Sequence, residues 1–193
     1  MSGLTTALAV IAIVPAIASV YFFVFWTWFG FWRRHAALTY LMLLGSFVGF
    51  AIVVAILRDH ALACRLEMPG PVRVAGWGLT VAVVVAGTIA DRQIGFRVRS
   101  FAPFFETNGS IDLVTTGAYA IVRHPIYAAG IAFQLGVFLA TGYVAIAVAC
   151  AVFALGAQWF TRREEERLVE LLADPNAYTE YKQRVPRLLP WPR

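Results

Sequence analysis

The stretch LTTALAVIAIVPAIASVYFFVFWTWFGFW, Leu4 to Trp32, contains no charged side chain. A helix needs about 20 apolar residues to cross the hydrocarbon of a bilayer, and this run supplies more than enough. Arg33, Arg34 and His35 close it, as basic residues close a crossing at the membrane surface. The same pattern recurs twice. Ala36 to Leu57 is closed by Arg58, Asp59 and His60, and a run from about Val72 to Ala90 follows Pro69-Gly70-Pro71 and stops at Asp91-Arg92. No ionisable residue stands in the middle of these three runs, which argues against an ion or proton path through them.

Composition agrees. Of 193 residues, 60% are apolar and 14% are charged, against about 45–50% and about 25% in an ordinary soluble domain. Disorder is excluded, and a soluble globular enzyme is disfavoured. The first run lacks a basic leader and is too long for a signal peptide, so it is expected to stay in the mature protein. Gly45 and Gly49 have a spacing that permits close helix contact, a pattern common by chance in apolar segments.

Ala128 to Phe160 is apolar throughout. As one helix it would be roughly 50 Å long, too long for a bilayer. Thr141-Gly142-Tyr143 near its middle predicts a tight hairpin whose first arm is short for a full crossing. Asn108-Gly109 marks a turn in the polar stretch 91–127. Pro175, Pro186, Pro190 and Pro192 mark an extended tail after a short helix. The fold read from these segments is an all-α integral membrane helical bundle. It has about five transmembrane helices, a C-terminal helical hairpin and a cytoplasmic tail. The chain is one domain, 1–193, with three N-terminal spans in 1–90 and the chemistry in 91–193.

Orientation follows from charge. With the N-terminus outside, segments 33–35, 91–127 and 161–193 face the cytoplasm and hold thirteen of the sixteen basic residues, as the positive-inside rule requires. The net charge is +5 and fifteen of the sixteen basic residues are Arg. Most aromatics lie inside apolar runs rather than on a basic aqueous face, so no nucleic-acid partner is expected. Cys64 and Cys150 have no spacing for a disulfide framework or a zinc site, and no metal is expected.

Three groups of residues bear chemistry. In Tyr119-Ala-Ile-Val122-Arg123-His124-Pro125-Ile-Tyr127, Pro125 suits the first turn of a helix. Arg123 and His124 then stand at its N-terminal end, either as an anion-binding corner or as a basic flank at the interface. In Thr161-Arg162-Arg163-Glu164-Glu165-Glu166-Arg167-Leu168-Val169-Glu170-Leu171-Leu172, winding at 100° per residue gathers Leu168, Val169, Leu171 and Leu172 on one arc. Glu164 and Glu165 fall inside that arc, while Arg163, Glu166, Arg167 and Glu170 fall outside it. An inward carboxylate must find a partner; alternatively, first-turn glutamates simply favour the dipole of a surface helix. The tail from Tyr178 through Tyr181, Val185, Pro186 and Arg187 to Pro190 is either a lid or an interfacial anchor. Neither a Rossmann glycine fingerprint nor a P-loop is present.

Taken in order, these segments resemble the isoprenylcysteine carboxyl methyltransferase-like family of integral membrane methyltransferases. The resemblance covers about Asp112 to Pro190. It rests on Leu113 to Tyr119 followed by Val122-Arg123-His124-Pro125-x-Tyr127, then Glu165-Glu166-Arg167-Leu168 and Tyr178-x-x-Tyr181-x3-Val185-Pro186-Arg187-x2-Pro190. Ala118 stands where the family usually has Pro, and a Phe-Gly pair before the tyrosines is missing. The resemblance implies S-adenosylmethionine as cofactor, with Tyr119, Val122, Arg123, His124, Pro125, Tyr127, Tyr178 and Tyr181 around it. Glu165 or Glu166 would meet the cofactor's positive charge, and Arg162 or Arg163 would orient an anionic acceptor or the cofactor's carboxylate. The helical wheel favours Glu165. The expected acceptor is a lipophilic or lipidated molecule at the cytoplasmic membrane face, prenylcysteine-carboxylate-like by the resemblance, with membrane lipids as neighbours. Sterol-type membrane reductases that use NADPH share an Arg-His-Pro-x-Tyr segment and form the alternative. Their usual Asn before that Tyr is Ile126 here. A non-catalytic membrane protein of the same fold is the third reading.

Overall fold

The computed structural model describes residues 3–99, 105, 113–172 and 174–189. Among these, all regular structure is helical, and the protein is an all-α integral membrane bundle. The first crossing, Gly3–Thr27, is a helix in two parts, α1 (Gly3–Ile13) and α2 (Ile17–Thr27), joined through a 3₁₀ turn at Val14–Ala16. Pro15 sits in that turn, where its missing N–H and ring would break a regular α-helical ladder. Gln134, fully buried, donates from Nε2 to the Ala12 carbonyl at 2.9 Å and ties the same region to the hairpin.

The first crossing was expected to run on to Trp32. Instead Trp28 leaves helical geometry, and a short α3 (Phe29–Arg34) follows. The Trp32 indole donates back to Val24 O at 3.2 Å across the break, so the aromatic residues that lengthen the apolar run fold back on its end. α4 (Ala36–Ile56) is the second crossing, and a single turn, α5 (Arg58–Ala61), ends it. Among the described residues nothing stands within 4 Å of a Cβ placed on Gly45 or Gly49, so their spacing makes no close helix contact there.

α6 (Gly70–Arg99) continues well past Ala90, where the apolar run ends. At 30 residues it is about 45 Å long, because nothing before Pro103 in the sequence interrupts a helix. It packs backbone-close on α7 (Pro125–Thr141). A Cβ on Gly76 would stand 2.5 Å from Ala140 N, and one on Gly136 would stand 2.6 Å from Thr80 Oγ1. Small residues at a contact allow the close approach that drives helix association in lipid.

The expected hairpin is present. α7 ends at Gly142, whose φ of 79° is the left-handed cap that glycine adopts freely, and α8 (Val144–Leu171) returns. The loop from Cys64 to Leu66 pins the turn. Leu66 N donates to Gly142 O at 2.8 Å, Val144 N to Cys64 O at 3.1 Å and Arg65 Nε to Thr141 O at 2.7 Å. α9 (Pro175–Arg184) begins at Asp174, whose side chain accepts from Asn176 N at 2.9 Å, as an N-cap should.

Among the described residues, four helical stretches are long and apolar enough to cross a membrane: Gly3–Thr27, Ala36–Ile56, Gly70–Arg92 and Val144–Glu170. α7, at 17 residues, is the short fifth arm expected from the sequence. Among the described residues two buried clusters lie in the bundle, and a third gathers Leu172, Tyr178, Tyr181 and Val185. Ile13, Val137 and Ile146 belong to the first, and Phe22, Phe25, Phe153 and Phe160 to the second. Apolar side chains along α4 and α6 such as Leu41, Leu44, Val74 and Val81 are exposed; in a bilayer they meet lipid rather than water.

Candidate active site

α8 does not stop where its apolar residues stop. It carries straight on through the glutamate run, so the inward arc of the wheel lies against the N-terminal end of α7. Glu165 is 2% exposed there, and burial of a carboxylate demands compensation. It receives a dense set of donors. Arg123 Nε reaches Oε1 at 2.9 Å, and Arg187 clasps both oxygens, Nε to Oε1 at 3.0 Å and Nη2 to Oε2 at 2.9 Å. His124 Nε2 stands 3.2 Å from Oε1. A carboxylate between two guanidinium groups has no proton to give, so Nε2 is the donor and carries the hydrogen. The pairing with Glu165 holds the Arg187 guanidinium above its usual range.

Arg123 does more than neutralise Glu165. It is 5% exposed, and its Nη1 donates to the carbonyls of Lys182, at 2.9 Å, and Val185. Those carbonyls lie at the C-terminal end of α9, where a cation complements the helix dipole. Its backbone N–H donates to Pro186 O at 2.8 Å, and the next one, of His124, to Arg187 O at 3.0 Å. Tyr181 adds a phenol hydrogen bond to Tyr119 O at 2.6 Å. The segment from α9 to Leu189 is therefore a cap, fastened to the 119–124 strip and to α8. Within it Tyr178 and Tyr181 are buried. Burial is the main cause that raises both phenols, Tyr181 to about 12, and Tyr119 is raised for the same reason.

Beside this closed knot lies an open carboxylate. Glu164 Oε2 is buried and has no hydrogen-bond partner. His124 Nδ1 is the nearest cation-forming atom, at 3.4 Å and outside hydrogen-bond geometry. The Tyr127 ring lies 6.0 Å from that of His124 and completes an aromatic wall with Phe22 and Phe160. A buried carboxylate oxygen that accepts no hydrogen bond is uncommon and costly, and a charged His124 or a cationic ligand group would compensate it.

The structure thus brings together Tyr119, Val122, Arg123, His124, Pro125, Tyr127, Glu165, Tyr178 and Tyr181, all buried except the half-buried Tyr127. It does not bring in Arg162, Arg163 or Glu166. Arg162 is exposed, and Arg163 and Glu166 pair with each other at 3.2 Å on the outer side of α8. Two residues central to the geometry were given no role from sequence. Glu164 was inside the wheel's arc, and Arg187 was inside the tail motif. Among the described residues no three His, Cys, Asp or Glu side chains converge as a metal site requires.

No curated protein and no solved structure shows a significant match to the chain. A family model does match. The phospholipid methyltransferase model covers residues 72–174, just over half of the sequence. That range takes in α6, α7 and α8 with Arg123, His124, Glu164 and Glu165, and ends just before the cap. With these residues gathered at one end of a membrane bundle, the chain belongs to the phospholipid methyltransferase family and is a membrane methyltransferase.

Proposed function

We propose that the protein transfers the methyl group of S-adenosylmethionine to a lipophilic or amphipathic acceptor at the cytoplasmic membrane face. The observation that carries this reading is the buried Oε2 of Glu164, which accepts no hydrogen bond. The donor set fits the cofactor: a carboxylate for its cationic groups, His124 and Tyr127 as neighbouring walls, and a cap that closes above. When bound, the cofactor supplies an electrophilic methyl on a sulfonium. Glu164 would hold its ammonium group, a charge that S-adenosylhomocysteine also carries, and so fix its place. Glu165 already takes Arg123, His124 and Arg187 on Oε1 and Arg187 on Oε2, and two guanidinium groups compensate its charge. It orients His124 and holds the cap shut, replacing the role first expected of it. The cap excludes water, which strengthens the remaining electrostatics, and catalysis rests mainly on positioning.

Arg162, Arg163 and Glu166 have no part in this set. The cytoplasmic placement rests on the basic-residue asymmetry of the sequence. The isoprenylcysteine carboxyl methyltransferase-like resemblance supports a lipidated acceptor. The test is calorimetric titration of the detergent-purified protein with S-adenosylhomocysteine, with NADP⁺ in parallel. Binding of the first alone is expected, weakened about tenfold or more in Glu164→Gln through loss of a charge-assisted contact. Unchanged affinity in that variant would overturn the role of Glu164, and binding of NADP⁺ alone would overturn methyl transfer.

A further inference from the structure

The His124 imidazole stands between two carboxylates that are neighbours on α8. Its Nε2 faces Glu165 Oε1 at 3.2 Å, and its Nδ1 faces Glu164 Oε2 at 3.4 Å. The ring and both oxygens it faces are buried, so solvent screens neither contact well. A neutral imidazole carries one N–H and one lone pair. With the hydrogen on Nε2, toward Glu165, a neutral ring would turn its Nδ1 lone pair on an anionic oxygen. Two buried acceptors that face each other without a proton between them are both left uncompensated.

Among the described residues the guanidinium groups do not relieve Glu164. Arg123 bonds Glu165 and the carbonyls of Lys182 and Val185, and Arg187 bonds Glu165. The N-terminal end of α7 disfavours a cation at His124, but it acts as only a fraction of a charge. A full negative charge at 3.4 Å outweighs it.

We propose that His124 is an imidazolium in the ligand-free protein, the resident counter-cation of Glu164, and that it gives up its Nδ1 proton when Glu164 takes the cofactor's ammonium group. The Nδ1–H bond breaks, its electron pair stays on the ring, and the proton passes to solvent. His124 is then neutral, with its hydrogen on Nε2 toward Glu165. One cation leaves as another arrives, so Glu164 is compensated in both states. The Glu164 side chain is 19% exposed against 2% for Glu165, which gives the incoming group a route to it. The inference rests on the methyl-transfer reading for the identity of the ligand and adds a proton to the binding step.

Among the described residues, the charged and titratable groups around the ring are Glu164 and Glu165 on α8, Arg123 beside it, Arg187 in the cap and Tyr127 on α7. Tyr119 and Tyr178 also feel Glu164, and burial raises both phenols above their usual range. Near neutral pH the arginines stay charged and the phenols neutral, so the exchanged proton belongs to the contact between His124 and Glu164.

The test is calorimetric titration with S-adenosylhomocysteine near neutral pH, in buffers of different ionisation enthalpy. The unaltered protein is expected to release about one proton per ligand, with affinity rising by up to about tenfold per pH unit while His124 holds that proton and the ligand's amine stays charged. His124→Gln releases none and flattens that pH profile. The ligand-free state is read separately and needs no His124 variant. Replacing the exposed His35 and His60 by Gln leaves one of the three histidines, and nitrogen NMR follows its ring. Both ring nitrogens carry hydrogen before the ligand is added, and Nδ1 alone loses it at saturation. A neutral ring in the ligand-free protein overturns the proposal, and so does binding without proton release. Absence of binding overturns the methyl-transfer reading itself, while the ligand-free spectrum still decides whether His124 compensates Glu164.

Discussion

Replacing Glu165 by Gln separates the two neighbouring carboxylates by consequence. Glu165 and Arg123 are 2% and 5% exposed, so Glu165→Gln leaves a guanidinium buried without its counter-charge. Removing one partner of a buried pair costs about 3–5 kcal/mol. Arg187 is about one-fifth exposed at its side chain and can turn to water, and Arg123 keeps its two carbonyl acceptors. Both features put the cost at the low end, about 3 kcal/mol. At about 2–4 °C per kcal/mol for a chain of this length, the thermal midpoint falls by roughly 6–12 °C. Glu164→Gln behaves oppositely. It neutralises an oxygen that accepts no hydrogen bond, so the expected change in stability is within about 1 kcal/mol, while S-adenosylhomocysteine binding weakens. The assay is paired: thermal unfolding in detergent followed by intrinsic fluorescence, and calorimetric titration of both variants. Limited proteolysis would localise the Glu165→Gln effect to the cap, whose fastening depends on that carboxylate through Arg187. If Glu165→Gln melted like the parent while Glu164→Gln was the destabilised variant, the division into a knot and an open ligand would be refuted.

Other expectations are narrower. Gly142→Ala forces a Cβ into the left-handed region and against the Leu66 carbonyl; a loss of about 2 kcal/mol or more is expected, read as a lower thermal midpoint. Tyr181→Phe removes the hydrogen bond to Tyr119 O and should cost about 1 kcal/mol, with faster proteolysis confined to the cap. The same phenol sets an alkaline limit. Its pKa is raised from 10.0 to about 12 in the folded protein, so its contribution is complete below pH 10 and is lost as pH rises toward 12. Cap opening in that window should be absent from Tyr181→Phe. Gln134→Leu removes the bond to Ala12 O but also an amide oxygen that lacks a partner, and the midpoint should move little.

The crossings and the hairpin were legible because lipid imposes a simple rule on long apolar runs, and the turn at Gly142 needed only local chemistry. Helix ends were less legible. α6 outlasts its apolar run since helix propensity does not follow hydropathy, and Trp28 breaks the first crossing although every nearby residue is apolar. The site divided in the same way. Periodicity turned Glu164 and Glu165 inward together and left Arg163 and Glu166 outside, and the structure buries Glu165 and exposes the outer pair. Periodicity could not say which inward carboxylate is occupied, because Arg187 lies 22 residues further along the chain and Arg123 lies 42 residues before. Arg123 is the deeper lesson. As a lone basic residue beside a crossing, it reads equally well as a membrane anchor. Only when its guanidinium reaches Glu165 on one side and the carbonyls ending α9 on the other does its burial make physical sense. One side chain then links the cap to the glutamate helix, so fastening the cap and compensating the charge of Glu165 rest on the same guanidinium.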